Sequence, residues 1–336
     1  MTEIIKKISE LALKESFRVY EFMGDKFMLN EKDVVDNCIQ RWGQDEKTKD
    51  LLGKTQQWIM PISNDEHKKV FLTLLNRFNY YSREAIYSIF RNLHKKIEEF
   101  DPKCESTLFL PLISPEGRLN HSYDMLSCYQ IATGLDKMCF PTEIYQVEDS
   151  YPLDLINNIV FIDDMTGTGT TIKESIKFMI KRFKNVFDNK NIYLVILEGS
   201  EEGIESIKKL KDENGYNINV ICGNTFKKAF TPDYIFSNIE FEEARNIVSS
   251  YEKDITNNKK KYILGFEQSE ALMAFYYDTP NNTLSSFWFS NEGKKWTPLF
   301  PRNRVSRPNW TRDFRRKMRI KDNVNYNLKK TYAERK

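Results

Sequence analysis

The chain is poor in the residues that metal centres, disulfide frameworks and membrane spans require. Its 336 residues include only three histidines, His67, His94 and His121, too dispersed to argue for a metal cluster. His67 and His94 fall in helical stretches that predict surface placement, and only His121 lies near a candidate site. The five cysteines, Cys38, Cys104, Cys128, Cys139 and Cys222, are odd in number and form no C-x-x-C pair. That pattern excludes a disulfide framework and a zinc site of familiar spacing, leaving buried or incidental thiols. No apolar run approaches the ~20 residues of a membrane helix, and charges interrupt Met-Thr-Glu-Ile-Ile-Lys-Lys at residues 1–7. A cytoplasmic protein without a membrane partner is expected. No Gly-Lys-Ser/Thr follows the one Gly/Thr-rich loop, so it is not a P-loop, and Ile172 stands where a dinucleotide fingerprint needs its third glycine.

That loop belongs to the most informative stretch of the chain, Asn158-Ile-Val-Phe-Ile-Asp-Asp-Met-Thr-Gly-Thr-Gly-Thr-Thr171. Residues 159–162 are consecutive, mostly β-branched apolar residues, which predicts a strand buried on both faces of a parallel sheet. Residues 171–182 predict a helix, with Ile172, Ile176, Met179 and Ile180 on one face. Between them, Thr166, Gly167, Thr168, Gly169, Thr170 and Thr171 offer unhindered backbone N–H groups, hydroxyls and the positive end of a helix dipole. Such a nest suits a dianionic phosphate. Asp163 and Asp164 are expected where the strand ends, at the edge where open α/β sheets bind ligands. Two acids beside a phosphate nest repel the phosphate unless they meet hydroxyls or a divalent cation, and a ribose 5-phosphate satisfies both needs.

The thirteen positions 159–171 resemble the signature of the type I phosphoribosyltransferases. The resemblance implies that Asp163 and Asp164 hold the ribose hydroxyls of phosphoribosyl pyrophosphate and meet Mg2+ indirectly, through ribose or water. It also implies that the loop from Thr166 to Thr171 wraps the 5-phosphate. Enzymes of this kind that act on hypoxanthine and guanine carry an aspartate two residues before the loop glycine, where this chain has Gly167. A glycine is neither acid nor base, so a 6-oxopurine is disfavoured and the acceptor stays open.

The flanking sequence predicts an α/β core with additions. Apolar spacings at residues 3–14, from Asn30 through Trp42, after a capping box at 63–66, and from Ser82 through Ile97 predict a helical extension over residues 1–105, packed on the sheet domain. Residues 106–301 are expected to form the phosphoribosyltransferase-type domain and its C-terminal hood. Strands are expected at 107–112, 143–147, 159–162, 192–197 and 217–221, with helices at 122–133 and 202–210 among them. This makes five strands with the signature on the third. The loop 113–123 follows the first strand. By resemblance it meets the pyrophosphate, with Ser114, Gly117 and Arg118 as contacts and Ser122 a further donor, although a solvated loop fits it nearly as well. Beyond the last strand, a turn- and aromatic-rich segment resembles the C-terminal part of phosphoribosyltransferase-like proteins of bacterial conflict and defence loci. Asn281, Asn282 and Trp288 suit an acceptor pocket, and they equally suit a Pro-Asn turn capping the sheet with Trp288 and Trp296 as core.

The last segment changes charge. Residues 302–336 carry thirteen Lys and Arg against three acids, a net of +10, which leaves −7 for residues 1–301 of a chain whose total is +3. An arm for nucleic acid or a nucleoprotein fits this asymmetry, as does a solvated tail. Two function classes follow. One is an enzyme that binds phosphoribosyl pyrophosphate and Mg2+ and moves ribosyl phosphate to a nitrogen acceptor, with a toxin or antiviral defence role implied by resemblance alone. The other is a nucleotide-sensing or nucleoprotein-docking module on the same fold, without turnover.

Overall fold

The computed structural model describes residues 30–115, 120–210, 215–216 and 218–302. The helix expected over residues 3–14, Gly117 and Arg118, and the tail beyond Arg302 lie outside the described residues. In chain order the elements are α1 (Glu31–Trp42), α2 (Leu51–Ile59), α3 (Asp65–Arg77), β1 (Asn79–Tyr81), α4 (Arg83–Glu98), β2 (Thr107–Pro111), α5 (Ser122–Thr133), α6 (Ile144–Ser150), β3 (Asn158–Thr166), α7 (Thr170–Arg182), α8 (Lys184–Phe187), β4 (Asn191–Ser200), α9 (Glu201–Lys208), β5 (Ile218–Phe226), α10 (Phe241–Ile255), β6 (Met273–Phe275) and α11 (Ser285–Trp288). No helix among the described residues is long and apolar enough to cross a membrane.

Strands β2, β3, β4 and β5 form a parallel sheet in that order. Continuous apolar runs build it because both faces are covered. Ile159 and Phe161 of β3 enter one core with α7 and α9, while Val160 and Ile162 enter the other with α4 and α5. The expected strand at 143–147 is instead helix α6, so the sheet has four strands and the signature strand is its second. Ile144, Val147 and Tyr151 recur at i, i+3 and i+7, and all three pack against the same core, which only helical periodicity allows.

Asparagine caps organise the N-terminal helices. Asn30 Oδ1 accepts from Asp33 N at 2.8 Å, and Asn64, rather than Ser63, caps α3 by accepting from Glu66 N at 2.8 Å and His67 N at 3.1 Å. Helices α1 to α3 do not pack primarily on the sheet. They share a third core with the C-terminal segment, in which Phe78 stacks on Phe300 with centroids 4.9 Å apart and Trp58 Nε1 donates to Ser286 O at 2.8 Å. Helix α10 contributes Glu252, which is fully buried and accepts from Leu264 N, Ser286 N and Ser286 Oγ. His94, expected at the surface, is buried in α4 because the Tyr129 hydroxyl, 2.9 Å from Nδ1, satisfies its ring there.

A small parallel ribbon joins the extension to the C-terminal segment: β1 pairs with β6 in the register Asn79↔Met273, Tyr80↔Ala274 and Tyr81↔Phe275. The ribbon meets the main sheet at Glu198, near the carboxyl end of β4. Glu198 is 1% exposed; Asn79 Nδ2 donates to its Oε1 at 3.4 Å, the Tyr81 hydroxyl faces it, and its Oε2 has no hydrogen-bond partner. Burial pushes this carboxyl from the usual 4.5 up to about 7.

A raised carboxyl pKa favours the folded state while the group is protonated. Stability from Glu198 is therefore full below about pH 4.5 and is lost as pH rises to about 7. The loss amounts to roughly 3 kcal/mol at ~1.4 kcal/mol per pKa unit. Glu198→Gln is expected to remove this component. Urea midpoints compared between pH 4.5 and 7.5 should show wild type losing stability relative to the variant, and parallel pH curves for the two proteins would contradict the assignment.

Candidate functional site

Strand β3 does not stop before its acids. It runs through Asp163 and Asp164 to Thr166, with Asp163 opposite Ile196, Met165 opposite Glu198 and Thr166 opposite Gly199. Gly169 then adopts φ +77° at the N-cap of α7, a conformation that glycine takes without steric cost. Thr168, Thr170 and Thr171 are exposed while Thr166 and Gly169 are buried. Thr168 Oγ1 lies 3.0 Å from Thr170 Oγ1 and accepts from Thr170 N at 3.4 Å. The N-cap Gly169 has no side chain to accept from the first turn of α7, and Thr168 Oγ1 takes the Thr170 N–H beside the exposed hydroxyls. An anion is the natural partner for such a helix end.

The next strand–helix junction holds the loop in place. Ser200 Oγ donates to the Gly167 carbonyl and accepts from Gly203 N at 2.8 Å. A Cβ on Gly203 would collide with the Gly167 carbonyl oxygen, so the two backbones approach as closely as they do because position 203 has no side chain. A Cβ on Gly169 would meet Gly203 O at 2.8 Å and Ile207 Cγ1 at 3.0 Å. Gly169 is thus required by its φ and by packing on α9. From the C-terminal segment, the Asn282 side chain reaches the loop: its Nδ2 lies 2.6 Å from where a Cβ on Gly167 would stand.

The acid pair is half-buried at the carboxyl edge of the sheet. Asp164 Oδ1 accepts from Met165 N at 2.7 Å and Oδ2 accepts from the Tyr277 hydroxyl at 2.8 Å. Burial raises both carboxyl pKa values. For Asp163 the adjacent Asp164 charge adds to the rise and holds it well above the usual range, whereas for Asp164 the nearby His121, Tyr277 and Met165 N–H pull it back. The two acids therefore resist carrying full charge together, and each gains from a hydroxyl donor or a cation.

Other expected contacts are placed differently. Ser122 does not face a ligand, because its Oγ donates to Ile162 O and accepts from Leu112 N at 2.7 Å, tying the start of α5 to β2 and β3. Ser114 lies just past β2 and is partly exposed. Asn281 and Asn282 are partly exposed, with backbone carbonyls that accept from Phe266 N and Ala271 N. Trp288 is buried; its Nε1 donates to Thr283 O at 2.8 Å and the Arg302 guanidinium covers its ring at 5.3 Å, so packing accounts for it. Arg302 also pairs with Asp278 at 3.6 Å, which anchors the start of the basic tail. Sequence reasoning missed Tyr277, Ser200 and Gly203. Tyr277 comes from a turn 113 residues past the acids and carries no local motif, while Ser200 and Gly203 lie at the strand–helix junction after the signature.

The donor set suits Mg2+. No group of three or more His, Cys, Asp or Glu among the described residues forms a metal cage, and Mg2+ usually keeps waters and binds through one or two carboxylates together with substrate phosphates. Asp163 and Asp164 offer two hard oxygen donors beside the Gly/Thr loop. A family model described as PRTase-CE matches residues 55–302. No curated protein matches the chain.

Gly203→Ala is expected to force the loop outward, destabilising the protein by about 1–3 kcal/mol, as overpacking does. Inorganic phosphate affinity, read by calorimetry, should fall ~10-fold, the equivalent of about 1.4 kcal/mol. Gly134→Ala, at a positive-φ position with nothing within 4 Å of a Cβ, should destabilise without changing phosphate binding. Equal phosphate affinity in the two variants would remove the support assigned to Gly203.

Proposed function

We propose, from the premise that the chain belongs to the phosphoribosyltransferase-type family PRTase-CE, that it binds phosphoribosyl pyrophosphate with Mg2+ and transfers ribosyl phosphate to a nitrogen acceptor. The observation that carries this reading is the junction of β3 and α7. There, an adjacent acid pair, held partly from Met165 N and Tyr277, lies next to a helix N-terminus with glycine at its N-cap, lined by exposed threonines. The helix end and the hydroxyls of Thr168, Thr170 and Thr171 would take the 5-phosphate. Asp163 and Asp164 would take the ribose hydroxyls, whose donated hydrogen bonds favour the ionised acids that burial disfavours.

The chemistry this permits is a substitution at the ribose carbon that bears pyrophosphate. The C–O bond breaks with its electron pair on the leaving group, and a nitrogen lone pair forms the new bond. Positive charge grows on the sugar as the bond lengthens, and the half-buried carboxylates at the sheet edge stabilise it. Mg2+ bound with the substrate would neutralise the pyrophosphate charge. Gly167 supplies no acid or base, and the amide of Asn282 lies beside it, so the acceptor would meet a neutral hydrogen-bonding group there. We extend the proposal to an effector role in a bacterial defence system and to a nucleic-acid or nucleoprotein partner for residues 302–336. The first rests on resemblance and the second on charge.

Incubating the full chain with phosphoribosyl pyrophosphate and Mg2+, with and without nucleotides or cell RNA, is expected to release pyrophosphate. The double variant Asp163→Asn/Asp164→Asn should keep its melting transition and lose release by 100-fold or more, the equivalent of about 2.7 kcal/mol. Unaltered release in that variant would sink the site. Ligand binding without release under every acceptor condition would favour the non-catalytic sensor instead.

A further inference from the structure

Tyr277 lies in the C-terminal segment, yet its hydroxyl donates to Asp164 Oδ2 at 2.8 Å. Its placement is constrained from several directions. Phe275 N–H donates to Asp278 O at 2.9 Å, closing a turn with Tyr276 and Tyr277 at its tip. Tyr276 N–H donates to Tyr81 O at 2.9 Å, tying that turn to β1. The Tyr277 ring is nearly parallel to Phe275, at 4° and 5.4 Å, and the His121 ring lies 4.7 Å from it. The hydroxyl is thus aimed before any ligand arrives.

Its target has the complementary need. A carboxylate offers about four lone-pair sites. In Asp164, Met165 N–H occupies one on Oδ1, the Tyr277 hydroxyl one on Oδ2 and its own backbone N–H reaches a third, which fixes the plane of the group and leaves room for a further donor. A hydroxyl of the ligand would find an acceptor already oriented, with less rotamer freedom to lose on binding.

We propose that Tyr277 is a positioning residue of the ribose site, holding Asp164 in the orientation that accepts a ribose hydroxyl. The inference rests on the functional reading above and adds a residue from outside the signature to it. The ribbon makes the same kind of approach at a second place, since Tyr81, paired with Phe275 across β1 and β6, faces Glu198 at the end of β4. Tyr81 therefore serves as a control that shares the ribbon but does not touch Asp164.

The experiment titrates the full chain by calorimetry with ribose 5-phosphate and, separately, with inorganic phosphate, which engages the loop and has no hydroxyls for the acids. Wild type is expected to prefer ribose 5-phosphate. Tyr277→Phe keeps the stacked ring and should lose about fivefold to tenfold in ribose 5-phosphate affinity, with phosphate affinity unchanged within about twofold, as removal of a hydrogen bond to a charged group implies. Tyr81→Phe should keep the wild-type preference. In the Asp164→Asn background, Tyr277→Phe should add nothing, because its effect passes through that carboxylate. The proposal is overturned if Tyr277→Phe keeps the preference, if it weakens both ligands equally, or if Tyr81→Phe collapses the preference as well. Wild type that binds phosphate without preferring the ribose ester removes the ribose site itself, a result distinct from failure of the Tyr277 variant alone.

Discussion

The site depends on one close approach, that of the Gly167 carbonyl to the backbone of Gly203. A parallel sheet places the loops that follow β3 and β4 side by side, but it does not bring them into contact. Contact requires a residue without a side chain at 203 and a hydroxyl at 200 to satisfy the carbonyl that turns toward it. Once that carbonyl faces α9, Thr168, Thr170 and Thr171 are left exposed at the start of α7, with Thr168 Oγ1 taking the Thr170 N–H. The exposed face of the loop is thus the outward side of an inward hydrogen bond. A substitution that loosens the inward bond reaches that face from behind.

The acids follow a related logic. Their sheet edge is apolar on both faces up to Ile162, and the ribbon and α5 pack together in the core on the face of Val160 and Ile162. Burial of that extent disfavours two adjacent charges, and the structure answers it unevenly, with partners placed on Asp164 and its neighbour left the more strained. Unequal carboxyls have different affinities for protons, hydroxyls and cations, so a single ligand carrying both hydroxyls and a metal can meet each in its own way.

Much of this was legible in the chain. The run 159–162 is buried on both faces as its β-branched continuity implies, and the Gly/Thr loop opens a helix where the spacing of Ile172, Ile176, Met179 and Ile180 requires one. The misreadings share a cause. In residues 143–147, Ile144 and Val147 fit a strand as readily as a helix until Tyr151 and the core they face are taken into account. The three-residue β1 inside a helical stretch has no periodicity of its own and exists because β6 lies beside it. Trp288 has the composition of a stacking platform, but Thr283 and Arg302 occupy it. Local pattern marked the Gly/Thr loop, whereas the parts contributed by distant segments required the fold.

The shared core of the N-terminal helices and the C-terminal segment sets a problem of timing during synthesis. Trp58 finds its partner, the carbonyl of Ser286, 228 residues later in the chain. At ~5–20 residues per second, roughly 10–45 s separate the emergence of the two from the ribosome. Through that interval Trp58 and Phe78 have no aromatic cover from Phe287 and Phe300, Phe71 has none from Trp296, and β1 is an unpaired strand. The nascent chain therefore exposes an apolar helical surface and a free strand edge until residues 273–300 are made, which is the kind of surface a holding chaperone binds.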